Sequence, residues 1–180
     1  MQDETILRLF PVLRRSWSEQ GKQAPVHISG RNAQQVLSCT IDLQTGRRLL
    51  VAHSTMTAAG FQTMLRRVRR AYGERLVYML LDSGGLHLAN ASRSLAEALN
   101  ITFVWLPKQA PELNCVDQLW RHVRAHISAN RQYKTIPEHA HAAEAYVKTL
   151  SPRQTLLLAG VLSKNFWLKD KVETNFCRLT

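Results

Sequence analysis

The feature that most constrains this chain is the run Leu76-Val-Tyr-Met-Leu-Leu81, six consecutive apolar residues ending in Asp82-Ser-Gly-Gly85. An unbroken run of that length suits a strand buried on both faces, of the kind found in parallel sheets covered by helices. A second such run, Ile101-Thr-Phe-Val-Trp-Leu106, ends at Pro107. Between the two, Ala89 to Leu99 has helical character, giving a strand–helix–strand unit. Upstream, Gln35–Leu43 and Arg48–His53 flank Gln44-Thr-Gly46, the signature of a hairpin. The opening Glu4–Phe10 reads as a strand stopped by Pro11, and Arg15–Gln23 as a loop. From Thr57 to Ala71 the period changes. Phe61, Met64, Leu65, Val68 and Tyr72 fall at helical spacing, Arg66, Arg67, Arg69 and Arg70 lie mostly off that stripe, and Gly73 is the stop. Residues 107–114 form a loop. Val116–Ala129 is a helix with Val116, Leu119, Trp120, Val123 and Ile127 on one stripe, and the chain from Pro137 onward reads as mostly helical. Hairpin strands followed by alternating strands and helices predict an α/β fold: a mixed sheet of antiparallel and parallel strands with helices on both faces.

Composition narrows the function. The 180 residues carry 24 Lys and Arg against 13 Asp and Glu, a net charge of +11. A domain so basic is suited to a polyanion, because each neutralised phosphate releases counterions, although a solvated basic surface has the same composition. The length suits one domain, residues 1–180. Cys39, Cys115 and Cys177 form no CxxC pair, which excludes a zinc ribbon and a disulfide framework and fits a reducing cytoplasm. Residues 1–20 lack the apolar segment of a signal peptide, and the longest apolar stretch toward the C-terminus, Leu156–Leu162, is too short to span a bilayer.

With acids scarce, their positions carry weight. Asp82 stands where the most apolar strand stops, and in open α/β sheets ligands gather at the carboxyl ends of strands. Asp117 lies in the first turn of a helix that Asn114 can cap, where the dipole favours a carboxylate. A turn-former and a dipole partner are the bland alternatives. Asp3, at the start of the first strand, is a third acid. Three converging carboxylates repel one another unless cations neutralise them, and hard divalent cations prefer such oxygens. Two such ions about 3.5–4 Å apart can clamp the attacking and leaving oxygens of a phosphodiester. Glu4, adjacent to Asp3 on a strand, points to the opposite face and is not expected to be a ligand. Glu112 is a weak fourth candidate. His122 and His126 sit at i, i+4, but the run HVRAH lacks the glutamate of a zinc protease, and a solvated basic face is favoured over zinc.

Three blocks make the chain resemble the transposases of the bacterial insertion sequence 630 group, relatives of the mariner elements. They are Gln2-Asp3-Glu4 with Pro11, Trp17 and Gly21; LLDSGGLH from Leu80 to His87; and LPKQAPELNCVDQLWRHVR from Leu106 to Arg124. The 34 positions from 83 to 116, between the second and third acids, also match that superfamily's spacing. The resemblance implies a ribonuclease-H-like fold with Asp3, Asp82 and Asp117 as the catalytic triad, holding two Mg²⁺ or Mn²⁺ ions. It implies hydrolysis of DNA at transposon ends, then attack of the freed 3′ hydroxyl on target DNA at TA, by a homodimer in a synaptic complex in the bacterial cytoplasm and nucleoid. His87, five residues after Asp82, is expected either to orient the metal site or to contact DNA, with a surface histidine as the alternative. Asn114 is expected to support the site, and Lys108, Arg121 and Arg124 to contact phosphates. Ser83 replaces the asparagine common after the second acid, and Asp117 stands where glutamate is common. The helix-turn-helix region that these transposases use to recognise their ends is expected to be absent from residues 1–180. The rival function is therefore an inactive fragment that binds DNA or oligomerises as a regulator. A resolvase or hybrid nuclease of the same fold fits the third block poorly.

Overall fold

The protein is described by a computed structural model covering residues 1–178. Strands β1 (Gln2–Arg8), β2 (Gln34–Ile41) and β3 (Arg48–His53) form an antiparallel sheet in that order, and β4 (Val77–Leu81) pairs in parallel with β5 (Ile101–Trp105). β1 packs beside β4, so antiparallel and parallel strands lie side by side in two hydrogen-bonded ladders. β1 begins two residues earlier than its apolar pattern predicts. Asp3 therefore lies within the ladder, opposite Cys39.

The helices are α1 (Ala58–Tyr72), the single turn α2 (Gly85–Leu88), α3 (Asn90–Ala98), α4 (Cys115–Val123), α5 (Ile136–Thr149) and α6 (Pro152–Leu158). Strand alternation assigns them to two cores. On β3, Leu50 joins a core built with α4, α5 and α6, while its neighbours Leu49 and Val51 pack against the core of α1 and α3. On β4, Leu80 faces the first core and Met79 and Leu81 the second. Helices thus cover both faces, as the element order predicts.

Three expectations need correction. The run Leu76–Leu81 is not buried on both faces: Leu76 lies outside the strand at 56% exposure, and Tyr78 is 61% exposed. The reason is coverage: α4 and α5 pack on β1 and β2, leaving the outer β4–β5 face partly open. The helix expected over 116–129 is α-helical only to Val123 and continues as a π-helical turn, Arg124–Ser128, whose extra residue lets the Ala129 amide reach the Arg124 carbonyl. Beyond Leu158 the chain proceeds through turns rather than helix, starting at Gly160 with a positive φ. The residues between β1 and β2 form a long irregular loop, tied down by reciprocal bonds between Asn130 and the Arg14 backbone. Among the described residues no helix is long and apolar enough to cross a membrane.

Two arginines serve as clips. Arg69 donates to the carbonyls of Leu99, Gly73, Arg75 and Asn100, joining the end of α1 to the start of β5. Arg48 donates to the carbonyls of Val147, Lys148 and Leu150 at the end of α5.

The β2–β3 turn is shaped by Asp42, whose carboxylate accepts from the Gln44 and Thr45 amides. Gly46 sits there with φ 72°, and a Cβ at that position would come within 2.2 Å of the Pro152 carbonyl oxygen. Both the backbone conformation and the contact require glycine. Gly46→Ala is expected to destabilise the fold by about 1–3 kcal/mol, read as a lowered denaturation midpoint at unchanged m-value.

Candidate active site

Asp3, Asp82 and Asp117 come from three distant stretches of sequence and line one cleft of about 610 Å³, together with Glu4, Ser83, Lys108 and Asn114. β1 carries Asp3. Asp82 is the first residue after β4, and Asp117 lies in the first turn of α4. The strand-end and helix-start placements inferred from the sequence converge.

Asn114 makes that convergence possible. Its side-chain oxygen accepts from the Val116 amide, capping α4, and its Nδ2 donates to the Gln2 carbonyl, one residue before Asp3. It is 4% exposed, so both bonds are shielded from water. The same side chain that starts the helix bearing Asp117 is thereby fastened to the strand bearing Asp3.

Asp82 is held by His87. The imidazole Nδ1 lies 2.8 Å from Asp82 Oδ1 and its Nε2 lies 3.4 Å from Glu4 Oε1. Burial opposes charge on this ring, but the bonds and charges of Asp82 and Glu4 prevail and push its pKa up to about 9. It is therefore an imidazolium at neutral pH, donating to both carboxylates. The bond from His87 in turn holds the Asp82 carboxyl below its ordinary range. At 2% exposure, with its ring edge-on to Phe61 at 4.5 Å, His87 is not a surface histidine. Gly84 allows the approach, since a Cβ there would lie 3.1 Å from Asp82 Oδ1.

Asp117 is held by arginines. Arg121 reaches its Oδ2 at 2.7 Å, and Arg124 lies 3.4 Å from its Oδ1 while donating to Thr5 Oγ1. Two of the three cations expected to meet phosphates are thus turned onto a site carboxylate in this structure. Lys108 remains exposed at the cleft.

Glu4 lines the same cleft as Asp3, and sequence reasoning missed its role. It meets His87 and accepts a bond from Gln2 Nε2. Nothing local could have shown this, because the partner lies 83 residues away. Glu112 does not line the cleft. His122 and His126 stack at 4.0 Å beside Tyr146 on the surface, and no third ligand joins them among the described residues.

The donor chemistry suits a hard divalent cation. Burial first, then the charges of Glu4 and Asp117 and, more weakly, Asp82, push the Asp3 carboxyl up to about 7. A cation would relieve that repulsion. Among the described residues no three acidic, histidine or cysteine side chains are close enough to enclose one ion as they stand. Asp82 is drawn toward His87, and Asp117 toward its arginines.

Antiparallel and parallel strands with helices on both faces make this a ribonuclease-H-like domain, the fold of transposase catalytic domains. The chain belongs to the DDE superfamily endonucleases, whose family model matches residues 1–139. It is 24% identical over 153 residues to the insertion element IS630 uncharacterized 39 kDa protein of Shigella sonnei, covering 84% of this chain and 45% of that protein. It superposes on the Mos1 transposase paired-end complex with left transposon end with a TM-score of 0.67 at 19% identity, over 88% of this chain and 50% of that one. The Mos1 transposase catalytic domain with Raltegravir and Mg gives 0.51 at 17% identity, over 71% of each chain. The chain spans about half the length of the 39 kDa relative and of the transposase in the paired-end complex.

The raised pKa of Asp3 makes a stability prediction. Its folded-state value lies above the unfolded one, so its ionisation lowers stability as pH rises from about 4 to 7, and the loss is complete above 7. Asp3→Asn is expected to raise the metal-free melting temperature at pH 8 by several degrees, at about 2–4 °C per kcal/mol, with the gain shrinking toward pH 4. Thermal unfolding in EDTA across that range checks it, and equal melting temperatures at pH 8 would contradict the assignment.

Proposed function

We propose that this chain is the catalytic domain of a transposase, cutting DNA at transposon ends and joining the freed 3′ hydroxyl to target DNA. The observation that carries the proposal is the meeting of Asp3, Asp82 and Asp117 on one cleft of a +11 domain in a family of endonucleases. In the first step a water oxygen attacks the phosphorus and the bond to the 3′ oxygen breaks, leaving a 3′ hydroxyl and a 5′ phosphate. In the second, that 3′ oxygen attacks a target phosphodiester and displaces the next 3′ oxygen, conserving the number of phosphodiester bonds.

Asp3, Asp82 and Asp117 would hold two Mg²⁺ or Mn²⁺ ions, which supply activation of the nucleophile and neutralisation of the leaving oxygen. His87 fixes the orientation of Asp82 and keeps it ionised, the part that groups behind a metal ligand commonly play. Asn114 sets the separation of β1 from α4 and so that of Asp3 from Asp117. Arg121 and Arg124 neutralise Asp117, and exchange of these contacts for phosphate oxygens of bound DNA would free the carboxylate toward the cleft. Lys108, at the open side, supplies a further phosphate contact. A TA target, and a pair of copies bridging two transposon ends in the bacterial cytoplasm, extend the same family reading.

The test is nicking of a supercoiled plasmid in Mg²⁺ or Mn²⁺. Asp82→Asn is expected to abolish nicking while leaving the affinity for duplex DNA within about twofold, because the lost group binds metal rather than phosphate. Undiminished cleavage by this variant would refute the proposal. His87→Ala is expected to slow nicking about 10–100-fold and to raise the metal concentration needed for half-maximal rate.

A further inference from the structure

At the far end of β4 from the acidic cleft lies a second cavity, of about 570 Å³, where the β2–β3 turn, the end of α1 and the α5–α6 junction meet. Arg47, Arg48, Arg67, Arg75 and Lys148 line it, and the only acid among its lining residues is Asp42. That carboxylate is already engaged by the Gln44 and Thr45 amides and the Tyr72 hydroxyl. Arg48 spends its donors on α5 carbonyls, and Arg47 on the Ala71 carbonyl while lying over the Tyr72 ring. Neutral partners orient these two guanidiniums without cancelling their charge. Lys148 pairs with Glu144. Arg67 and Arg75 make no side-chain hydrogen bond or ion pair among the described residues. The five cations therefore face two anions. The excess continues along α1, which contains no acid and exposes Arg66 and Arg70 one turn apart.

We infer that this cavity and the outer face of α1 bind backbone phosphates of duplex DNA at a site separate from the cleft. Guanidiniums held in fixed orientation match phosphate oxygens in pairs, and a row of them along a helix suits a repeating polyanion better than one small ion. Arg75 and Asp82 flank β4, so at most about 23 Å of chain separates the two regions at roughly 3.3 Å per residue, less than the length of a 30-base-pair duplex. The inference rests on the reading of the chain as a DNA-acting enzyme, and its test separates the two.

The experiment measures binding of a 30-base-pair duplex by fluorescence anisotropy, in EDTA, over a range of salt. Arg67→Gln/Arg75→Gln is expected to flatten the log–log salt dependence by about 2 and to weaken binding about tenfold or more, since each lost phosphate contact removes about 0.9 from the slope. Arg67→Lys/Arg75→Lys is expected to keep most of that slope. An unchanged slope in the Gln variant, or equal losses in both variants, overturns the inference. So does a melting-temperature rise with inorganic triphosphate that the Gln variant loses while its duplex binding stays intact, which would assign the cavity to a soluble polyphosphate. In plasmid nicking, the Gln variant is expected to raise the DNA concentration for half-maximal rate without changing the rate at saturation. If no nicking occurs at all but the slope falls, the phosphate site stands and the catalytic reading falls.

Discussion

The buried amide of Asn114 serves two elements at once, and the geometry of the acidic cleft depends on it. One end of the amide caps α4 at the Val116 amide, and the other bonds the Gln2 carbonyl on β1. A helix N-terminus leaves amides without partners, and a buried one must find them in side chains. By meeting that need and reaching across to β1 as well, Asn114 makes the start of α4 and the place of Asp3 parts of one constraint. Asp117, three residues into the same segment, then has no freedom to lie elsewhere. The tight packing of Val116, Leu119, Trp120 and Val123, all fully buried, holds the rest of the helix against β1 and β2.

Bringing acids together is opposed by their charge, and the fold distributes the opposition. Asp82 is balanced by the imidazolium of His87, which Glu4 supports from behind. Asp117 is balanced by Arg121 and Arg124. Among the described residues Asp3 has no cationic partner of its own, and burial first, then its acidic neighbours, raise its pKa. As they stand, Asp82 is drawn toward His87 and Asp117 toward its arginines. In the basic cavity beyond the other end of β4, Arg47 and Arg48 are fixed by neutral carbonyls and the cations outnumber the acids.

Much of this was legible in the chain. The strand β4 ending at Asp82, the hairpin around Gly46, the amphipathic helix ended by Gly73 and the stripe on α4 all follow from local periodicity and turn chemistry. Asn114 as a cap was legible for the same reason. What escaped was decided by distant partners. Alternation along β1 says that Glu4 faces away from Asp3, yet both line one cleft, and that Glu4 meets His87 depends on β1 packing beside β4. Arg69 lies off the apolar stripe of α1 and Arg48 opens a strand, and nothing local says that carbonyls at the ends of neighbouring elements receive them. Tyr78 read as buried because the apolar run says nothing about how far the covering helices extend.

The sequence by itself determined which elements form and which acids stand at their ends, because periodicity, turn residues and caps act over a few positions. Its motifs also carried the family, since the spacing of Asp82, Asn114 and Asp117 is a one-dimensional property. Tertiary structure alone decided how the acids are paired: Asp82 to a buried, charged His87, Asp117 to two arginines, and Asp3 to no cation among the described residues. Charge pairing and desolvation depend on distances between residues up to 119 positions apart along the chain, such as Arg124 and Thr5. No local rule encodes such distances; they arise from how strands and helices pack.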